Sequence, residues 1–134
     1  MLPSPDPAGM KTHADVSSVL VIEDEPDLRA LMALVLEDRG YTVLTASDGR
    51  EGLEVLGQSK PDVILLDMKM PVMDGWEFAS RYRAAFEHPA PIVVLTAAED
   101  PRTRAEEVGA VAGLGKPVEL ELLFAALEDA VQRP

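Results

Sequence analysis

The sequence predicts an α/β fold: a parallel sheet with helices on both faces. Three observations carry that prediction. Five short apolar runs, at 18–22, 41–46, 62–66, 91–95 and 111–114, are rich in Val, Ile and Leu and are bounded by turn signals. Such runs read as strands buried on both faces. Segments of helical periodicity alternate with them, and that alternation implies right-handed crossovers between parallel strands. No repeat, linker or second domain interrupts the pattern, and 134 residues suit one domain with a proper core.

Residues 1–17 carry Pro3, Pro5, Pro7 and Gly9 without periodicity, and are expected to form a disordered tail. His13 in this tail reads as solvated. The run at 18–22 ends in Glu23-Asp24-Glu25. Pro26 suits the first position of a helix, where its missing N–H costs nothing. Leu28, Leu31, Met32, Val35 and Leu36 then fall on one expected apolar face, and Gly40 stops the helix. After the second strand, Asp48 with Glu51 resembles a capping box, opening a short helix with Leu53 and Leu56 facing inward.

The third strand is the most informative. Val63 to Leu66 is unbroken apolar and ends in a carboxylate, Asp67. Taken alone, Asp67 is as readily a strand terminator as a functional group. Asp74 before Gly75 reads as the cap of the next helix, whose apolar face is Phe78, Ala79 and Tyr82. Met68, Met70 and Met73 read as adaptable packing residues, Trp76 as a half-exposed one, and His88 as a surface loop residue. The fourth strand ends in Thr96. Asp100-Pro101 caps a helix with only Ala105 and Val108 as apolar residues, which predicts shallow packing. The fifth strand, weakened by Gly113, runs into Gly115-Lys116-Pro117. Leu120, Leu123, Phe124, Leu127 and Val131 predict a strongly amphipathic last helix, with Leu122 off that face.

The totals exclude several functions. A net charge of −12 opposes general binding to nucleic acid or to anionic membranes. The absence of cysteine rules out disulfides and thiolate metal sites. No apolar run is long enough to cross a bilayer, and residues 1–15 lack the apolar segment of a signal peptide, so a soluble cytoplasmic protein is expected.

In a parallel sheet the carboxyl ends of the strands share one edge, where ligands bind. Glu23, Asp24, Asp67, Thr96 and Lys116 all fall there. Three carboxylates in one place repel one another, by roughly 1 to 4 kcal/mol per pair at about 4 Å depending on the surroundings. A hard divalent cation such as Mg2+ would offset that, and a hydroxyl and an ammonium beside it would suit a phosphoryl group. Taken singly, Thr96 is an ordinary loop cap and Lys116 a solvated turn lysine; their joint placement favours the chemical reading.

These residues resemble the receiver domain of two-component response regulators. The resemblance rests on Val19-Leu20-Val21-Ile22-Glu23-Asp24-Glu25, on the stretch from Asp62 to Gly75, on Val93-Val94-Leu95-Thr96-Ala97 and on Lys116-Pro117, and it covers residues 18–133. It implies a flavodoxin-like (βα)5 fold with strand order 2-1-3-4-5. It implies that Asp67 accepts a phosphoryl group from a sensor histidine kinase or a histidine phosphotransfer protein. Mg2+ would be bound by Asp24, Asp67 and the backbone carbonyl of Lys69, and by Glu23 through water. Thr96 and Lys116 would contact the phosphoryl group, and the Lys116-Pro117 bond would be cis. Lys69 and Ala98 occupy positions that tune phosphoryl lifetime. Such a protein is not an enzyme beyond self-catalysed phosphorylation and dephosphorylation, and it signals by contacts with a downstream protein.

One position departs from the family. Gly113 stands where receivers carry an aromatic residue that couples phosphorylation to the output face. Activation is therefore expected to act through the loop after Thr96 and the fourth helix. Two alternatives stay open: an interaction module independent of phosphorylation, and the receiver of a longer regulator. A small-substrate phosphatase is disfavoured because Lys69 occupies the place of a general acid. The oligomeric expectation is a monomer or a weak dimer through the fourth-helix and fifth-helix face, with Leu122 as its hint.

Overall fold

The computed structural model describes residues 17–132. The expected tail, apart from Ser17, lies outside them. The elements run β1 (Ser18–Ile22), α1 (Pro26–Asp38), β2 (Thr42–Ala46), α2 (Gly49–Leu56), β3 (Val63–Asp67), α3 (Gly75–Ala85), β4 (Ile92–Thr96), α4 (Pro101–Val108), β5 (Ala112–Gly115) and α5 (Leu120–Gln132). All strand pairs are parallel, in the order β2-β1-β3-β4-β5. This is the expected doubly wound, flavodoxin-like sheet.

Side chains alternate across each strand and divide the core into two layers. Leu20, Ile22, Ile64, Leu66, Ile92 and Val94 face α2, α3 and α4, packing with Leu56, Phe78, Tyr82 and Val108. Val19, Val21, Val63, Leu65, Val93 and Leu95 face α1 and α5, packing with Met32, Leu36, Leu123 and Leu127. The three inner strands are therefore covered on both sides, which is why they read as continuous apolar runs.

The caps form as the residues dictate. Asp48, Asp74 and Asp100 accept hydrogen bonds from the backbone N–H three residues on. Glu51 reaches back to the Ser47 hydroxyl at 2.8 Å and to its backbone N–H, one residue earlier than a capping box requires. Gly40, at φ +104°, supplies the left-handed turn after α1.

Several local expectations are corrected. β3 begins at Val63 rather than Asp62; the Asp62 carboxylate accepts the Ser18 N–H at 2.8 Å and its own N–H donates to the Ser18 carbonyl at 2.9 Å. Leu31 is 52% exposed: the buried stripe of α1 centres on Met32 and Leu36, and Leu31 lies one residue, or 100°, to the solvent side. Leu120 is 42% exposed, standing in the first turn of α5, whose buried residues begin at Leu123. α4 buries Ala105 and Val108, as expected, and the backbone at its start also lies directly on β5, as described below.

Candidate functional site

β1 and β3 are hydrogen-bonded neighbours, with Ile22 beside Leu66. The residues that follow these two, Glu23 and Asp67, therefore emerge side by side. Carboxylate oxygens of Glu23, Asp24 and Asp67 all lie within 4.8 Å of one another. Glu23 is 2% and Asp67 5% exposed, whereas Asp24 is half-buried.

β5 brings the cation. Gly115 pairs with Thr96, and the Lys116 N–H continues the ladder onto the Thr96 carbonyl at 2.9 Å. This register carries the lysine to the sheet edge; the Lys116-Pro117 bond that follows is cis. The Lys116 Nζ lies 3.2 Å from Glu23 Oε1 and 3.2 Å from Asp67 Oδ1. The other Glu23 oxygen accepts the Glu25 N–H at 3.1 Å, so both oxygens of this buried carboxylate are engaged. Thr96, 3% exposed, accepts the Ala98 N–H on Oγ1 at 3.1 Å, leaving its own hydrogen to donate.

These groups surround a cleft of about 380 Å3 that Lys69 and Ala98 also line. The expected site residues are thus brought together, with the Lys69 side chain in an exposed position. The charges interact strongly. Burial pushes the Asp67 carboxyl up to about 7 from an ordinary 3.8; the Glu23 charge and a hydrogen bond with Asp24 add to this, while Lys116 opposes it. Lys116 is raised: burial lowers it, but Asp67 and Glu23 together more than reverse that. The donor set is all hard oxygen, with excess negative charge that one ammonium does not neutralise. That chemistry fits a small divalent cation.

One neighbour was not singled out from the sequence. Arg29, the fourth residue of α1, donates Nη1 to the Glu23 carbonyl at 2.8 Å and, more weakly, to the Asp24 carbonyl at 3.5 Å. Its only sequence signal is a basic residue one helical turn after an acidic loop.

Gly113 has a geometric cause. A Cβ there would lie 2.2 Å from the Pro101 carbonyl oxygen and 3.1 Å from the Ala105 Cβ. The first turn of α4 occupies the space of a side chain on β5. On its far side α4 is tied to α3: Trp76 Nε1 donates to Glu107 at 2.9 Å, and Arg83 donates to the carbonyls of Val108 and Gly109.

Comparison with known proteins agrees with this geometry. The transcriptional regulatory protein PdtaR of Mycobacterium tuberculosis is 41% identical over 131 residues, covering 93% of this chain; the chain spans 63% of that protein's length. The chemotaxis response regulator CheY4 of Vibrio cholerae superposes with a TM-score of 0.76 at 36% identity, over 86% of this chain and 98% of that one. The response regulator TrrA of Thermotoga maritima, solved in complex with Mg2+ and BeF, does so with a TM-score of 0.77 at 29% identity, over 86% of this chain and 99% of that one. A sequence model of the response regulator receiver domain matches residues 19–128. The chain belongs to the response regulator receiver domain family, the signal-accepting module of two-component systems.

Proposed function

We propose that residues 18–133 form a phosphorylation-dependent receiver in which Asp67 is the phosphoacceptor. The observation that carries this reading is the position of Asp67: buried, at the end of a central strand, ion-paired to Lys116 and grouped with Glu23 and Asp24. An Asp67 carboxylate oxygen attacks the phosphorus of a phosphohistidine on a sensor histidine kinase or histidine phosphotransfer protein. The O–P bond forms as the P–N bond breaks, and the imidazole leaves with the electron pair. Asp24, Asp67, the Lys69 carbonyl and, through water, Glu23 would hold Mg2+, which would supply positive charge to the phosphoryl oxygens. A cation there also favours the ionised, nucleophilic form of Asp67 over its raised, protonated one. Lys116 transfers its contact from the carboxylate to the phosphoryl group. Thr96 turns its hydroxyl hydrogen toward it.

The signal passes to a downstream protein by surface contact, from a cytoplasmic module that is not itself an enzyme, acting as a monomer or a weak dimer through the α4 and α5 face. Direct nucleic-acid binding by this domain is disfavoured by its net charge of −12. Among the described residues no helix is long and apolar enough to cross a membrane. Gly113 favours a second reading, an interaction module whose output ignores phosphorylation, because the usual aromatic relay has no room.

Intact mass after incubation with Mg2+ and acetyl phosphate tests the first reading. A single phosphoryl adduct is expected on the native chain and none on Asp67→Asn. No adduct with acetyl phosphate or other donors overturns it in favour of the second.

A further inference from the structure

We infer that Arg29 is a positioning residue for the acidic site, one that holds the metal ligands of the β1–α1 turn from behind. The inference rests on the Mg2+ reading above. The turn consists of Glu23, Asp24 and Glu25, three acids in succession, and it closes on Pro26, which has no N–H to donate. β1 ends at Ile22, so the Glu23 carbonyl has left the sheet ladder. A buried carbonyl needs a donor, and Arg29 supplies it at 2.8 Å, with the same nitrogen 3.5 Å from the Asp24 carbonyl. The Arg29 backbone is itself fixed by its N–H to the Glu25 carbonyl at 2.9 Å, so the guanidinium folds back over the turn from a rigid helix.

Holding those two peptide planes sets where the Glu23 and Asp24 side chains leave the backbone. Glu23 is further held by Lys116 and by the Glu25 N–H. Asp24, half-buried, shares a hydrogen bond with Asp67, and its backbone is the part that Arg29 holds.

Electrostatics and positioning predict opposite signs here. Arg29 is a cation near a cation site. If charge were its whole contribution, removing it would tighten Mg2+ binding. If it positions the ligands, removing it weakens binding although the site becomes more negative. A contribution to folding alone would lower thermal stability and leave the affinity of the folded protein unchanged.

Calorimetric titration of the metal-free protein with Mg2+ separates these outcomes. The native chain should bind one equivalent, and Asp24→Asn should bind far more weakly. Arg29→Ala should weaken Mg2+ by about tenfold, the usual scale for residues that orient metal ligands. Arg29→Lys, which keeps the charge but replaces the fork with a single ammonium, should recover only part of that loss. Unchanged or tighter binding by Arg29→Ala, with native circular dichroism, overturns the inference. Should Arg29→Ala fail to fold, native affinity in Arg29→Lys overturns it instead. If the native chain binds no Mg2+, the metal reading itself fails, and that result is distinct from a failure of Arg29 alone.

Discussion

The carboxyl edge of β1 and β3 and the flank formed by α4 and β5 lie within one small domain and are built on opposite terms. At the edge, like charges are crowded: three carboxylates within 4.8 Å of one another, with one lysine between two of them. On the flank, backbone approaches backbone, with the Pro101 carbonyl in the space of a missing side chain at Gly113. The edge stores electrostatic tension that a bound cation or phosphoryl group can relieve. The flank is held by close packing and by hydrogen bonds from α3 to α4. Two stretches of chain join them: the loop from Thr96 to Asp100, and the step from Gly115 at the end of β5 to Lys116.

The strongest response should come from the edge. Asp67 has a folded pKa raised to about 7 from 3.8. A raised carboxyl binds its proton more tightly in the folded state. Its favourable contribution is therefore complete below about pH 4 and is lost as the pH climbs through 7. In EDTA, urea denaturation of the native chain should show a loss of stability relative to Asp67→Asn between pH 4 and 8. Saturating Mg2+ should abolish most of that difference. Parallel pH profiles for the two proteins in EDTA would show that the edge is not under tension.

Next comes Gly113→Phe, which places a ring where the Pro101 carbonyl lies. Overpacking should cost about 2 to 3 kcal/mol, and α4 should lift from β5. Hydrogen exchange over residues 97–110 should then rise before any phosphoryl analogue is added. In the native chain the same residues should change only when beryllofluoride and Mg2+ are supplied. Native stability and exchange in the variant would mean that the flank has room for the ring after all.

Arg83→Ala removes the donors to the last carbonyls of α4 and should cost about 1 kcal/mol. The smallest effect is expected from Trp76→Phe, which deletes the exposed hydrogen bond to Glu107 and should change stability by about 0.5 kcal/mol. Both variants should loosen α4 without altering Mg2+ affinity. A large fall in Mg2+ affinity in either would erase the distinction between the two regions.

Much of the edge was legible because each of its residues is tied to a strand end. Once 18–22, 62–66 and 91–95 read as parallel strands, Glu23, Asp24, Asp67 and Thr96 had to share one side of the sheet. Lys116 followed from the strand before it. The caps at Asp48, Asp74 and Asp100 were equally readable, since a cap is a contact over three residues. The exposure of Leu31 and Leu120 escapes such a reading for the converse reason. Helical periodicity marks an apolar stripe but not its centre, nor the point along a helix where the sheet begins to cover it.

Local pattern and the handedness of crossovers are enough to specify the alternation of elements, the inner strands and the set of chemical groups at their ends. Three features arise only once the layers pack together. One is that Lys116 bridges Glu23 and Asp67, contacts that span 93 residues in the first case. Another is that Arg29 stands behind the acidic turn. The last is that Gly113 is matched by the approach of α4 rather than by an empty space. Each depends on a distance between elements remote in the chain. Such distances are set by how side chains and backbone fill the space between packed layers, and no single segment carries that information.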